Sequence, residues 1–336
     1  MPWGAVWALA LLAAIELLMR WGYDPRHVPE LYAANFPDHR YAFERARPRC
    51  WRAPGVIECY GDEYQPIPRQ SLIDPKPADT IRVIVVGTSP SYGTEAYPAR
   101  LGEPLERALG REVEVLNLAV RGHGTTRMLE QLDEALGLDP DVIVIHPHGT
   151  NEYEDERDAA YVAALHEGVP GLIRRSEFAT VLQKLAAGRL YRRARGIVDL
   201  RKAPQEESET ANTEKAAGEI PANVARWQAK IVANTELMVE RARASGATVV
   251  LVGRGERPGP DGSAWVDYMD GLLRPIARHD PGIDYVDPMA VLKAGGADPA
   301  DAFVDTSHFN ARGHREIASA LAETIAVAVT SHDHVR

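Results

Sequence analysis

Apolar and polar positions alternate regularly from about residue 80 onward, and this alternation predicts an α/β fold. Short apolar runs, typical of strands covered on both faces, occur at 81–86, 113–119, 142–145, 248–252 and 283–286. Apolar residues at helical spacing occur between or after these runs, at 101–109, 126–136, 223–244, 265–277 and 311–329. Strands that alternate with helices favour a doubly wound parallel sheet, which we expect over residues 80–330.

Residues 1–20 form a separate apolar segment. The stretch from Trp3 to Met19 is apolar except for Glu16, and its 17 residues reach the lower limit of about 17–25 for a membrane span. It lacks the basic start of a secretory signal and has no convincing small-x-small cleavage site. We therefore expect a transmembrane anchor helix, with an export signal as the alternative.

Two further segments interrupt the α/β pattern. Residues 21–79 are rich in Pro, Arg and aromatic residues without a clean period, which predicts an irregular extension lying on the main domain. An insertion at about 153–221 contains a basic stretch of helical spacing around 174–195 and then a charged, Ala-rich segment, 205–219, which predicts a loop. Because the insertion directly follows the third strand's polar end, we expect its ordered part to form a cap there.

The charge balance and the cysteines bear on partners and location. The chain has 38 basic and 48 acidic residues, and no Lys/Arg cluster lies beside interleaved aromatics, so we expect no nucleic-acid partner. Cys50 and Cys59 either form a disulfide, which favours an oxidising compartment, or are two unrelated thiols. Arg20 and Arg26 after the apolar segment favour a cytoplasmic domain instead. On balance we expect the main domain on the outer, extracytoplasmic face of a membrane.

Small polar residues follow three of the predicted strands. Ser89, Gly122 and Asn151 come after the first, second and third strand. The carboxyl ends of parallel strands meet at one edge of a sheet, where ligands bind. A serine at that edge can act as a nucleophile if a base takes its proton and a third group orients the base. Asp305 and His308, spaced Asp-x-x-His before the last helix, can supply both.

The same residues offer donors for the oxyanion that attack on an ester creates. The candidates are the backbone N–H groups of Ser89 and Gly122 and the side-chain amide of Asn151. Gly122 has no Cβ, so its backbone can approach a substrate closely. The sequence therefore predicts a catalytic triad of Ser89, His308 and Asp305 with an oxyanion hole beside it.

The motifs that carry these residues resemble those of the SGNH (GDSL-like) hydrolase superfamily. The four blocks of that family are matched by Gly87-Thr88-Ser89, Asn117-Leu118-Ala119-Val120-Arg121-Gly122, Gly149-Thr150-Asn151-Glu152 and Asp305-Thr306-Ser307-His308. The resemblance covers about residues 81–328 and implies a flavodoxin-like sheet, serine esterase activity and no cofactor. Thr88 and Glu152 stand where the family has Asp; the first puts the local loop geometry in question, and the second keeps the charge.

Other polar residues near the third block have competing interpretations. His148 and Glu152 are predicted to contact the substrate. A metal site that includes His123, His146 and His148 is the alternative, but the spacing matches no standard ligand set, so we expect no metal.

Two polar residues farther along the chain receive structural interpretations. Arg254 follows the fourth strand and could reach a negative group of a substrate, but a solvated loop arginine is favoured. His314 is expected on the surface of the last helix.

Three functions remain open at this point. The leading hypothesis is a serine hydrolase that cleaves carboxylic (acyl or acetyl) esters, either small esters or O-acylated glycans, through an acyl-enzyme. The second is an O-acyltransferase that passes the acyl group to a sugar hydroxyl of an envelope polysaccharide. The third, motivated by Thr88 and the long insertion, is a non-catalytic binding module on the same fold.

Overall fold

The structure is a computed structural model, and it describes residues 3–22, 49–60, 70–149, 151–152, 155, 222–259 and 264–333. These residues fall into two units. Of the described residues, only helix α1 (Trp3–Gly22) lies in the first unit. Within the described ranges, no helix has both the length and the apolar character that crossing a bilayer requires. The predicted N-terminal helix is therefore present, but the predicted membrane anchor is not shown. The expected helix around 174–195 and the loop 205–219 lie outside the described residues.

The second unit alternates strands and helices as the sequence predicts. Its strands are β1 (Arg49–Ala53), β2 (Val56–Tyr60), β3 (Gln70–Ile73), β4 (Ile81–Gly87), β5 (Val113–Asn117), β6 (Val142–His146), β7 (Thr248–Val252) and β8 (Ile283–Val286). Its helices are α2 (Gly102–Leu109), α3 (Thr125–Leu136), α4 (Ala222–Ala244), α5 (Ala264–His279), α6 (Pro288–Ala294) and α7 (Ala311–Asp333). The short helix α6 was not predicted; its N-terminus is capped by Asp287, whose side chain accepts the N–H groups of Met289 and Ala290.

Five parallel strands form the central sheet in the order β5-β4-β6-β7-β8. Numbered along the chain, this is the order 2-1-3-4-5 of flavodoxin-like folds, in which the ligand crevice lies at the carboxyl ends of the first and third strands. The predicted parallel α/β sheet is thus confirmed. The crevice is expected where β4 and β6 end.

Helices cover both faces of this sheet and divide the core into two layers. Alternate residues of β4 point to opposite sides, with Ile84 and Val86 in one layer and Val83 and Val85 in the other. All four are fully buried, and each contributes about 1.5–3 kcal/mol relative to an exposed side chain. Because both faces are apolar, β4 is a continuous hydrophobic run rather than an alternating one.

A second, three-stranded antiparallel sheet precedes the central one, in the order β1-β2-β3. Cys50 and Cys59 are opposite each other on β1 and β2 and form a disulfide, which decides between the two interpretations of this pair. The small sheet packs on the main core through Ile57, Cys59 and Leu72. The irregular extension predicted over 21–79 therefore contains a regular sheet.

Arg82 links the small sheet to the central one from a buried position on β4. Its guanidinium donates to Glu114 Oε2 at 2.9 Å, to the carbonyl of Ile73 at 2.7 Å and to the carbonyl of Leu138 at 2.5 Å. Its side chain is 1% exposed. Each partner comes from a different part of the chain, so one side chain joins β3, β4, β5 and the loop after α3.

Candidate active site

Ser89 begins a single 3₁₀ turn, Ser89–Ser91, immediately after β4. The turn is closed by the N–H of Tyr92, which donates to the carbonyl of Ser89 at 3.2 Å. Ser89 is half-buried, whereas Pro90 and Ser91 are buried. The chain therefore presents Ser89 at the carboxyl edge of the sheet and turns its neighbours inward.

A buried hydrogen-bonded network lies beneath this turn. Ser91 Oγ is 2.7 Å from His146 Nδ1 and 3.0 Å from Tyr97 Oη, and Asn117 Nδ2 donates to the carbonyl of Ser91 at 2.8 Å. Burial lowers the pKa of His146 to about 3, so its imidazole is neutral at pH 7 and Nδ1 can accept the Ser91 proton. The network fixes the turn that carries Ser89.

Gly122 lies in the loop after β5, which stays beside the end of β4. The N–H groups of Leu118 and Val120 donate to the carbonyls of Val85 and Gly87 at 2.9 and 3.1 Å, so pairing continues beyond the strand. Gly122 has φ +69°, a left-handed conformation that a side chain disfavours. The predicted oxyanion donors of the first two blocks are thus carried on adjacent loops.

The third block follows β6 and is packed tightly against α5. Gly149 has φ +84°, and a Cβ at this position would lie 2.2 Å from the sulfur of Met269. Asn151, two residues on, is buried. Because Gly149 has no side chain, its backbone can lie against Met269. This contact positions the loop that carries Asn151.

Glu152, which was predicted to contact substrate, is fully buried. Its Oε1 accepts the backbone N–H of Thr125 at 2.6 Å, so it caps the start of α3, and its Oε2 is 3.3 Å from Lys230 Nζ. Burial raises the pKa of this carboxyl, against the effect of the Thr125 hydrogen bonds. The predicted substrate contact does not fit this burial, because the carboxylate is engaged with α3.

Asp305 and His308 form the local pair that the sequence predicts. Nδ1 of His308 is 2.9 Å from Oδ1 and 2.8 Å from Oδ2 of Asp305, and Oδ1 also accepts the backbone N–H groups of Ser307 and His308. Burial would raise the pKa of Asp305, but these hydrogen bonds outweigh it and hold the pKa below its usual range. An ionised Asp305 fixes the imidazole with Nδ1–H toward the carboxylate and leaves Nε2 available.

His148 lies beside His308, with ring centroids 6.5 Å apart and nearly parallel planes. Its side chain is buried, and burial together with the nearby charge of Arg254 holds its pKa well below the usual range. The structure thus brings this predicted pocket residue next to the predicted base. A neutral His148 adds no repulsion to a protonated His308.

Arg254 is not solvated, so the favoured interpretation of this residue is wrong. It is 3% exposed, donates to the carbonyl of His148 at 2.6 Å, lies 5.2 Å above the ring of Trp265 and pairs with Glu256 at 3.6 Å. Burial lowers its pKa to about 10, which leaves it charged at pH 7. The arginine therefore holds the loop after β6 against the loop after β7.

The expectation that His314 lies on the surface of the last helix is also wrong. Its Nδ1 accepts the backbone N–H of Tyr97 at 3.2 Å, and its ring contacts Phe309 edge-on. Burial, followed by the charges of Arg100 and His308, lowers its pKa to about 4. The neutral ring joins α7 to the segment that follows Ser89.

The structure brings some of the predicted residues into direct contact and leaves others apart. Asp305 is bonded to His308, and His308 stacks on His148. Among the described residues, no hydrogen bond joins the hydroxyl of Ser89 to His308. In hydrolases, hydrogen bonds between a nucleophile and its base are often long before a substrate binds and shorten in the complex.

The buried network of Ser91, Tyr97 and His146 was not predicted. Ser91 and His146 are 55 positions apart, and neither lies in a pattern that distinguishes it from a turn serine or a strand-end histidine. The available signal was the apolar run 142–145, which places the next side chain at the same sheet edge as the Ser89 turn.

The sheet has the flavodoxin-like order, and its edge loops carry a serine hydroxyl and an imidazole held by a carboxylate. This arrangement is suited to acyl chemistry and is typical of serine hydrolases. The family model described as the GDSL-like lipase/acylhydrolase family matches residues 84–316, and the chain belongs to this family. The resemblance inferred from the motifs is therefore confirmed. The protein is an ester-bond hydrolase, which removes the support for a non-catalytic binding module.

Several solved structures are similar to the chain at low identity. They include a lipase from a goat-rumen metagenome (16% identity, 73% of this chain and 97% of that chain, TM-score 0.46), an acetylxylan esterase from Geobacillus stearothermophilus solved as a catalytic mutant (12%, 73% and 94%, 0.45) and a lipase/acylhydrolase from Enterococcus faecalis (14%, 73% and 95%, 0.42). No relative among curated proteins matches the chain.

Proposed function

We propose that the protein hydrolyses carboxylic esters through an acyl-enzyme on Ser89, with His308 as general base and acid and Asp305 as the group that orients it. The observation that carries this proposal is the pair of contacts, 2.8 and 2.9 Å, between the Asp305 carboxylate and His308 Nδ1. A carboxylate in this position selects the tautomer whose Nε2 accepts a proton. The half-buried Ser89, at the expected ligand edge of the sheet, is the nucleophile that such a base would serve.

The proposed reaction has two halves that share one site. Ser89 Oγ attacks the ester carbonyl while its proton passes to His308 Nε2, and the alcohol then leaves with that proton. Water next attacks the acyl-Ser89 ester, again losing a proton to His308, which returns it to Ser89 as the carboxylic acid departs. In both halves the oxyanion is stabilised by the N–H groups of Ser89 and Gly122 and by the amide of Asn151.

The proposed substrate class is the one that family membership and the acyl chemistry of the site support. A small acyl ester or an O-acylated glycan is proposed, with His148 as a wall of the pocket beside His308. The proposed reaction requires no bound cofactor.

Replacing the nucleophile tests the proposal. Ser89→Ala is expected to lower the hydrolysis of a short-chain nitrophenyl ester by at least about 10³-fold and to abolish fluorophosphonate labelling, because no acyl-enzyme can form. Ser71→Ala, an exposed serine of β3, is the matched control and should retain both. Full activity or undiminished labelling in Ser89→Ala would overturn the assignment.

Product analysis separates hydrolysis from acyl transfer. With an acetyl donor and a glycan present, hydrolysis releases free acetate and leaves the glycan unmodified. An acetylated glycan formed only with intact Ser89 would favour the O-acyltransferase instead.

We also propose that the main unit works in an oxidising compartment, on the outer face of the membrane. The Cys50–Cys59 disulfide supports this location, because such bonds persist mainly outside the cytoplasm. Cells lysed in an alkylating reagent should yield a chain whose two cysteines are unmodified unless a reductant is added first. Complete alkylation without reductant would count against the location.

A further inference from the structure

A buried carboxylate joins the loop of Gly122 to the segment of Asn151. Asp155 is 4% exposed; its Oδ1 accepts the N–H of Gly124 at 2.8 Å, and its Oδ2 accepts the backbone N–H of Arg127 at 3.2 Å. Its own N–H donates to the carbonyl of Asn151 at 3.2 Å. A Cβ at position 124 would lie 2.7 Å from Asp155 Oδ2 and 2.9 Å from the Asn151 carbonyl, so the glycine permits this approach.

Arg127 reaches back from the first turn of α3 to close the same link. Its Nη2 donates to the carbonyl of Gly122 at 2.5 Å, and its Nε is ion-paired with Asp155 Oδ1. The side chains of Arg127 and Asp155 are 12% and 2% exposed, so solvent screens this pair little. One guanidinium therefore binds the Gly122 loop and the Asp155 carboxylate at once.

The position of the carboxylate adds to the strength of the link. Helix α3 has no side-chain cap of its own at Gly124, and its first N–H groups point to the third block. Asp155 accepts two of these N–H groups, at the positive end of the helix dipole. The third block is thus attached to the rigid start of a helix rather than to a free loop.

We propose that Arg127 and Asp155 are positioning residues of the oxyanion site, which hold the N–H of Gly122 and the amide of Asn151 in one fixed arrangement. The inference rests on the proposed function, because it assigns a task to donors of that reaction. Gly122 has no side chain to restrict its backbone, and holding its carbonyl restrains the peptide that follows it and so limits movement of the backbone that carries its N–H. Fixing the Asn151 carbonyl limits the movement of the segment that carries the amide.

Loss of this link should affect the chemical step more than substrate binding. Oxyanion donors act because they are already aimed at the developing charge, and loss of one costs about 10²–10³ in rate. We expect Arg127→Gln and Asp155→Asn each to lower kcat about 10–100-fold, with KM changed less than about threefold. The kcat of Arg127→Lys should lie between those of these variants and that of the unchanged protein. Lysine keeps the charge but cannot bind two acceptors as the planar guanidinium does.

The experiment compares these variants with a control pair that also involves α3. Arg241 pairs with Asp133 of α3 across the more exposed helix surface, so Arg241→Gln removes an Arg–Asp pair without touching either loop. Turnover of a nitrophenyl ester and the second-order rate of fluorophosphonate labelling are measured at a temperature where circular dichroism shows every variant folded. The double variant, Arg127→Gln with Asp155→Asn, should show a fall in kcat no larger than that of the more affected single variant, because the two residues act as one unit.

The possible outcomes distinguish this inference from the function on which it rests. A fall in kcat and labelling rate in the Arg127 and Asp155 variants, with the Arg241→Gln control unchanged, supports the positioning role. Equal kcat in all folded variants, while Ser89→Ala is inactive, overturns the positioning role alone. Losses confined to KM, or additive losses in the double variant, also overturn it. Full activity of Ser89→Ala would instead overturn the proposed function.

Discussion

At the scale of single residues, the site depends on imidazoles that are kept neutral. His146, His148 and His314 all have a lowered pKa, and burial is the largest cause for each. A neutral ring can accept a hydrogen bond: His314 Nδ1 accepts the Tyr97 N–H, and His146 Nδ1 lies within hydrogen-bond distance of Ser91 Oγ. Protonation would remove these acceptors, so the same burial that organises the site makes it sensitive to acid.

The pKa of His314 gives a test with a defined sign. Its folded-state pKa of about 4 lies below the ordinary value of about 6.5. Between these pH values the unfolded chain binds a proton that the folded chain does not, so the free energy of unfolding falls as pH falls through this window. One such group contributes a slope of up to about 1.4 kcal/mol per pH unit.

The His314→Asn variant should therefore lose stability less steeply on acidification, because its amide oxygen can accept the Tyr97 N–H without titrating in this range. Urea unfolding between about pH 7 and pH 4.5 measures the slope. His279→Asn, at an exposed position at the end of α5, is the control. Equal slopes for the His314→Asn variant and the unchanged protein would contradict the expectation.

At the scale of elements, the strands that carry the site were predictable and the small sheet was not. The strand predicted at 81–86 is observed at Ile81–Gly87, and the helix predicted at 126–136 begins one residue earlier, because continuous apolar runs and helical spacing are local signals. Strands β1 to β3 lie in a Pro-rich stretch with no clean period, and only the two-residue turn Pro54-Gly55 between Ala53 and Val56 marks the β1–β2 hairpin locally.

The same distinction applies to the site. Asp305 and His308 are three positions apart, so their pairing is visible in the sequence. Arg127 and Asp155 are separated by 28 positions and meet only through the packing of α3 on the third block. Arg254 and His314 were misjudged because burial depends on neighbours distant in sequence, whereas both residue types are usually exposed or half-exposed.

The disulfide is expected to stabilise the small sheet. Replacing both Cys50 and Cys59 by Ala should lower the free energy of unfolding by about 2–3 kcal/mol, since a loop of this length loses the chain-entropy restriction of the unfolded state. Thermal unfolding with and without a reductant measures the loss. The double variant should be insensitive to the reductant, and an equal response in both proteins would contradict the role of this bond.

At the scale of the whole molecule, Arg82 joins the small sheet to the α/β core through one buried ion pair and two carbonyl contacts. Arg82→Met removes the positive charge and leaves Glu114 and two carbonyls without this donor. Breaking a buried pair by removing one partner costs about 3–5 kcal/mol, far more than loss of an exposed pair. We therefore expect Arg82→Met to be among the most destabilising single changes on β4.

Urea unfolding tests this expectation against Arg107→Met, which removes an exposed pair with Glu103 on α2. The control should stay within about 0.5 kcal/mol of the unchanged protein. Adding Glu114→Gln to Arg82→Met should recover part of the loss, because no unpaired carboxylate is then left at the buried junction. Equal stability of the Arg82→Met and Arg107→Met variants would show that the junction is not held by this residue.

The contact between Gly149 and Met269 has a consequence for how the chain can vary. Gly149 has a left-handed backbone, and the thioether of Met269 fills the space that a side chain at 149 would need. Shortening the side chain at 269 would open a space but would not relieve the conformational penalty at 149, so substitution there stays costly in either background. Substitution is therefore costly at both positions: Met269 is fully buried, so a smaller residue leaves a cavity, and a side chain at 149 adds a backbone penalty to the clash.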